Sequence, residues 1–202
     1  MSDIYSDRLF NGLSKTPPEA GMLLVSAPGT VSAELTRSVI FLLDVGPPDG
    51  AVGVDLTERT EMATHNVLPQ WTPLITAPQV IYLGGPVGHN TVLAVGVAKP
   101  DTAIDDSTLF STTAHRFVTV NLDADPDDVK GKLHGLRMFG GYAGWGPGQL
   151  DAEIERGNWY VAPALTEDVL APANVDVWGQ VMRRQEQPLP LFATYPIDPN
   201  EN

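Results

Sequence analysis

Apolar positions along this chain fall in short runs rich in β-branched residues, broken by glycine and proline. Met22-Leu23-Leu24-Val25-Ser26-Ala27 and Val39-Ile40-Phe41-Leu42-Leu43 are dense enough to predict buried strands. The turn Gly46-Pro47-Pro48-Asp49-Gly50 follows, and Ala51–Leu56 alternates well enough to return beside Val39–Leu43. Gln79–Leu83 and Thr91–Val97 predict a second strand pair around Gly84-Gly85-Pro86, and Phe117–Leu122 and Leu136–Phe139 two further strands.

The period changes between these runs. Asp125 before Pro126 is a helix start, with a capping side chain, proline at the first helical position, and Asp127 and Asp128 at the positive dipole end. Val129 and Leu133 at i,i+4 predict a helix running to about Gly135. Pro147 predicts a second helix through Arg156, with Leu150 and Ile154 on one face and Gly157 as its C-cap. Asp176–Arg184 predicts a third, with Val177, Trp178 and Val181 inward. Residues 1–20 are polar and contain Pro17-Pro18, which predicts a flexible N-terminal arm, and the prolines at 188, 190, 196 and 199 predict an extended tail over 187–202. Residues 21–186 then form one α+β domain with a mixed, mainly antiparallel sheet and flanking helices.

Charge narrows the function. Twelve Lys and Arg against 25 Asp and Glu leave a net charge of −13, which argues against direct nucleic-acid binding because that affinity comes chiefly from neutralising phosphates. The absence of cysteine excludes disulfides, thiol catalysis and thiolate metal ligation. The longest strongly apolar run, Val39–Leu43, is far too short to span a membrane, and Met1–Leu9 lacks the pattern of a signal peptide, so a cytoplasmic address is expected.

Five ordered segments carry a family resemblance: Gly21–Ser26, Thr36–Ile40, Gly50–Leu56, Gly84–Val87 and Gly141–Leu150, with Trp159 following Glu153. Over roughly residues 20–185 the chain resembles the YqgE/AlgH family of bacterial proteins. The resemblance implies an AlgH-like α+β fold whose sheet curls toward a pseudo-barrel. It implies little about activity; one member of the family has been associated with transcriptional control of exopolysaccharide production. The chain departs from the family pattern at Asp44-Val45-Gly46, where a Glu-His-Asn segment is usual, and at Thr57-Glu58-Arg59, where an Asn-Arg-Pro turn is usual.

The segment Gly140–Leu150 holds five glycines, a proline and two aromatic rings, and has two readings. As a site, a glycine-rich turn feeding a helix start offers N–H groups to an anion, with Tyr142 or Trp145 stacking on a planar group and Gln149 reading polar atoms; Gly144 and Gly146 would admit the ligand. As architecture, it is a crowded turn whose rings plug the core. Gly84 and Gly85 are the second candidate turn, with His89 nearby. Arg37 is a third candidate, either clamping a carboxylate or phosphate or pairing with one of the abundant acids of the chain itself. The four histidines lack metal-ligand spacing, and no cofactor motif or catalytic constellation is present. These features favour a non-enzymatic regulatory or adaptor protein acting through a protein partner or a second copy of itself. The alternative is a small-molecule sensor or enzyme using the turn at 141–149, and the third reading is an indirect transcriptional regulator.

Overall fold

The computed structural model describes residues 16–28, 36–46, 49–103 and 108–194. Ten strands form a sheet: β1 (Met22–Ser26), β2 (Val39–Gly46), β3 (Gly50–Asp55), β4 (Arg59–Ala63), β5 (Val80–Leu83), β6 (Val87–Ala98), β7 (Phe110–Ala114), β8 (Phe117–Val120), β9 (Leu133–Trp145) and β10 (Trp159–Pro163). The order is β10-β1-β2-β3-β9-β6-β8-β7, with β4 and β5 joined to one side of β9. Every pairing is antiparallel except β5 with β9. The ends of this sheet curl toward each other as an antiparallel half-barrel. The Phe41 and Phe117 rings meet at 4.9 Å between β2 and β8, and a Cβ on Gly21 would lie 2.3 Å from that of Ala114 at the end of β7.

Both faces of the central strands are covered, which explains their unbroken apolar runs. Leu23, Val25, Val39 and Phe41 point to the inner core, while Leu24, Ile40 and Leu42 join an outer cluster with Trp145, Leu150 and Trp159. Four α-helical segments are present among the described residues: α1 (Pro126–Val129), α2 (Gln149–Glu155), α3 (Thr166–Val169) and α4 (Val177–Arg183). Through Leu150 and Ile154, α2 covers the outer cluster. The inner core is filled by α4 through Trp178, Val181 and Met182, and Trp178 Nε1 donates to the Ser26 carbonyl at 2.9 Å. A third cluster lies under the 3-10 turns at Pro69–Leu74, where Trp71 packs with Leu136 and Met138.

Several local expectations are corrected. Asp125 caps α1 as expected, accepting from Asp127 N at 2.9 Å, but the helix stops at Val129 and Leu133 opens β9. Two apolar residues at i,i+4 support a helix weakly, and here strand pairing overrides them. The runs before and after Gly84-Gly85-Pro86 do not pair with each other; β5 and β6 lie on opposite sides of β9, as Ile81 and Ala94 both register with Met138. Residues Gly140–Trp145 are not a turn but the second half of β9, where Gly140 and Tyr142 still register with β6 and Ala143–Trp145 pair with β3. The tail is not extended over Leu189–Thr194: it forms a 3-10 helix that buries Leu189 and Ala193 in the inner core. Residues 1–15 of the arm and 195–202 of the tail lie outside the described residues. No helix among the described residues is long and apolar enough to cross a membrane.

Candidate functional site

Where the start of β2, the end of β3 and the middle of β9 meet the segment leading into α4, the molecule encloses a cavity of about 970 Å³. Arg37 and Ser38 enter it from the turn just before β2, Asp55 and the segment Thr57-Glu58-Arg59 from the end of β3 onward, Tyr82 from β5, and Arg137 from β9. Ala171–Ala173 and Val175–Trp178 close the opposite wall, and Gly85, Pro86 and His89 line it from the connection into β6. Three of the eight arginines in this acidic chain therefore face one cavity.

Each charge has a different setting. Arg37 adopts a left-handed backbone (φ 59°), with its guanidinium 4.3 Å from the Trp178 ring centre and paired with Asp176. Asp176 in turn caps α4, accepting from Gly179 N at 2.9 Å. Asp55 accepts from Thr57 N at 2.8 Å and from the hydroxyls of Thr57 and Ser38. Burial nevertheless holds the Asp55 carboxyl above the ordinary carboxylate range, against those three donors. Arg137 is the most enclosed of the charges, at 1% exposure. Its guanidinium lies 4.4 Å from the Tyr82 ring centre and donates through Nη2 to the Ala171 carbonyl at 2.7 Å. Its Nε and Nη1 have no hydrogen-bond partner, and no carboxylate among the described residues pairs with it. Burial, and the charge of Arg59, make that guanidinium easier to deprotonate than an ordinary arginine.

Of the sequence candidates, Arg37 and Gly85 line this cavity. Gly84 sits just behind it, accepting from Asp55 N at 2.9 Å and donating to the Gly140 carbonyl at 2.9 Å. Tyr142, Gly144, Trp145, Gly146 and Gln149 are not among the cavity residues. Tyr142 is half-buried, its ring so close over Gly88 that a Cβ there would come within 2.8 Å. Trp145 is buried and donates to Glu153 at 3.0 Å, as does Trp159 at 2.9 Å. Gln149 spans the turn, accepting from Gly146 N at 3.0 Å and donating to Glu153 at 3.0 Å. The Gly146 N–H at this turn is thus already engaged.

Arg137, Asp55 and Tyr82 were missed by sequence reasoning. A usable signal existed for one of them: Arg137 interrupts the apolar run Leu136-Arg137-Met138-Phe139, and a charge inside a strand buried on both faces calls for an explanation. Among the described residues, no three His, Cys, Asp or Glu side chains converge as metal ligands.

The AlgH-like family model matches residues 23–190, which span all ten strands apart from Met22 and every cavity residue. The chain belongs to the AlgH-like family. Its curated relatives include a UPF0301 protein from Corynebacterium efficiens, 52% identical over the whole of both chains, and one from Rhodococcus opacus, 43% identical over 90% of each. A crystal structure of a Corynebacterium diphtheriae protein matches this AlgH-like chain at TM-score 0.90 and 45% identity, covering 95% of it and all of the other. The solution structure of AlgH from Pseudomonas aeruginosa matches at TM-score 0.61 and 20% identity, covering 91% of this chain and 98% of that one, and so shows a shared fold. The turn Thr57-Glu58-Arg59, where this member departs from the pattern its resemblance implied, forms part of the cavity wall.

Proposed function

We propose that this AlgH-like protein is a regulatory protein whose state is set by a small molecule in the arginine-lined cavity. One observation carries the reading: the wall is shared between the sheet and the segment that feeds α4. Arg37, in the turn before β2, pairs with Asp176, which caps α4, and Arg137 from β9 donates to the carbonyl of Ala171. A ligand between these groups would touch both units and bias how the α4 unit sits on the sheet. A cavity of this size suits one metabolite-sized ligand with a few placed polar groups. The regulatory reading, acting through a protein partner, takes further support from the lack of catalytic and cofactor motifs in the sequence, and the net charge of −13 argues against DNA as the direct target.

A thermal-shift screen of the full chain against nucleotides, phosphorylated metabolites, carboxylates and neutral sugars tests this. A ligand that binds only the folded state raises Tm with dose. The expected result is a saturable shift that weakens in Arg37→Ala. A shift unaffected by Arg37→Ala but lost in Gln149→Ala would move the site to the turn at 141–149. No shift with any compound would defeat the reading.

A further inference from the structure

The acids and the bases of the cavity are committed to very different degrees. Asp55 accepts from Thr57 twice and from Ser38, and Asp176 is taken by Arg37 and Gly179 N. Glu58 and Asp176 are the exposed acids of the cavity, and Asp176 is the one already held by Arg37. Arg137, by contrast, is sequestered from water with Nε and Nη1 unpartnered and no carboxylate in reach among the described residues. Arg59, exposed at the mouth, lines the same cavity and its charge disfavours that of Arg137, and neither arginine ion-pairs with a carboxylate among the described residues. A buried guanidinium with free donors is costly, and a hydrophobic side chain of similar length would satisfy the packing around Tyr82, Val95 and Phe139 better. The ring of Tyr82 and the carbonyl of Ala171 hold the guanidinium in place and leave the N–H groups of Nε and Nη1 as the donors for an oxyanion.

We infer that Arg137 is the anchor for an oxyanion, the carboxylate or phosphate group of a small molecule, with Arg59 meeting the same ligand at the cavity mouth. This rests on the reading of the cavity as a ligand site and names the chemistry of its occupant. Arg37 is not the anchor, because Asp176 already neutralises it. An anion would give Arg137 its missing acceptor and relieve its repulsion by Arg59.

The test titrates the full-length wild type separately with inorganic phosphate and with succinate at constant ionic strength, following Tm and the Arg137 side-chain ¹H–¹⁵Nε resonance. The same titrations use Arg137→Met and Arg59→Gln. Arg137→Met removes an unpaired buried charge, so it should fold with a Tm equal to or above that of wild type. The expected result is a saturable shift of Tm and of the Nε resonance with one of the two anions, whose identity separates phosphate from carboxylate ligands. Affinity should fall roughly tenfold or more in Arg137→Met and by less in Arg59→Gln. Absence of any response to both anions, or a response unchanged in Arg137→Met, overturns the inference. A neutral compound from the wider screen that binds the wild type and Arg137→Met equally would also overturn it, while leaving the cavity as a ligand site.

Discussion

The Glu153 carboxylate accepts from the indoles of Trp159 and Trp145 and from Gln149. Partial burial opposes its ionisation, but these three donors outweigh it and hold the group below the ordinary carboxylate range. The unfolded chain therefore takes up a proton before the folded chain does. The stability Glu153 contributes is complete above its ordinary value of 4.5 and disappears as pH falls through the lower folded value. Glu153→Gln should cost roughly 1–3 kcal/mol at neutral pH, and the gap to wild type should close on acidification, as measured by urea denaturation at a series of pH values. Asp55 has the opposite sign. Its folded value is raised above the ordinary 3.8, so its favourable contribution is present below that value and is lost as pH rises through the folded one. Asp55→Asn keeps the acceptor for Thr57 and should be no less stable than wild type at neutral pH, with the difference shrinking toward acid. A marked loss of stability in Asp55→Asn at neutral pH would contradict this assignment.

Among the elements, β9 sets the architecture. It pairs with β6 from Leu133 to Tyr142, with β5 on its other edge, and with β3 at its end. This crowding explains the glycines better than a ligand does. A Cβ on Gly84 would lie 2.3 Å from the Gly141 carbonyl oxygen, a backbone atom that cannot move aside, and Gly141 itself has φ 74°. Gly84→Ala should therefore destabilise the fold by about 1–3 kcal/mol, read as a lower urea midpoint. A second joint ties α3 to α4. Arg184 grips the buried Asp168 through both carboxylate oxygens at 2.6 Å, while Asp168 also accepts from Leu165 N at 2.7 Å. Removing the arginine leaves a carboxylate enclosed and partly unpaired, so Arg184→Met should cost about 3–5 kcal/mol in the same assay. A loss below about 1 kcal/mol would show that water reaches Asp168 instead.

At the scale of the molecule, three apolar clusters share the same strands: β2 alternates between two of them and β9 contributes to all three. None can be lost without unpairing strands that support the others, which predicts a single cooperative unfolding transition. The tryptophans make this measurable, because Trp178 lies in the inner cluster, Trp71 in the second, and Trp145 and Trp159 in the third. Variants retaining one tryptophan each should give urea midpoints that coincide with one another, once corrected for the substitutions, and with far-UV circular dichroism. Separate midpoints would show that the half-barrel unfolds in parts.

Strand and cap signals act over a few residues, and those were legible in the sequence: the runs at 22–27, 39–43 and 51–56, the Asp125 cap, and the apolar face of α4 all appear where periodicity and capping chemistry place them. The ordered segments that carry the family resemblance were legible for the same reason. What depended on contact between distant segments was not. Gly84 and Gly141 each look like a turn until their backbones are seen pressed together. Leu133 fits a helix until β6 pairs with it through Ala98. Arg37 could be singled out as a charge, but its neutralisation by Asp176 and the isolation of Arg137 against Tyr82 depend on how β2, β5, β9 and the approach to α4 are folded together. Local hydrophobic pattern and capping chemistry determined the elements, whereas burial and partner choice, which decide what a charge can do, arose only when the tertiary fold brought those elements around one cavity.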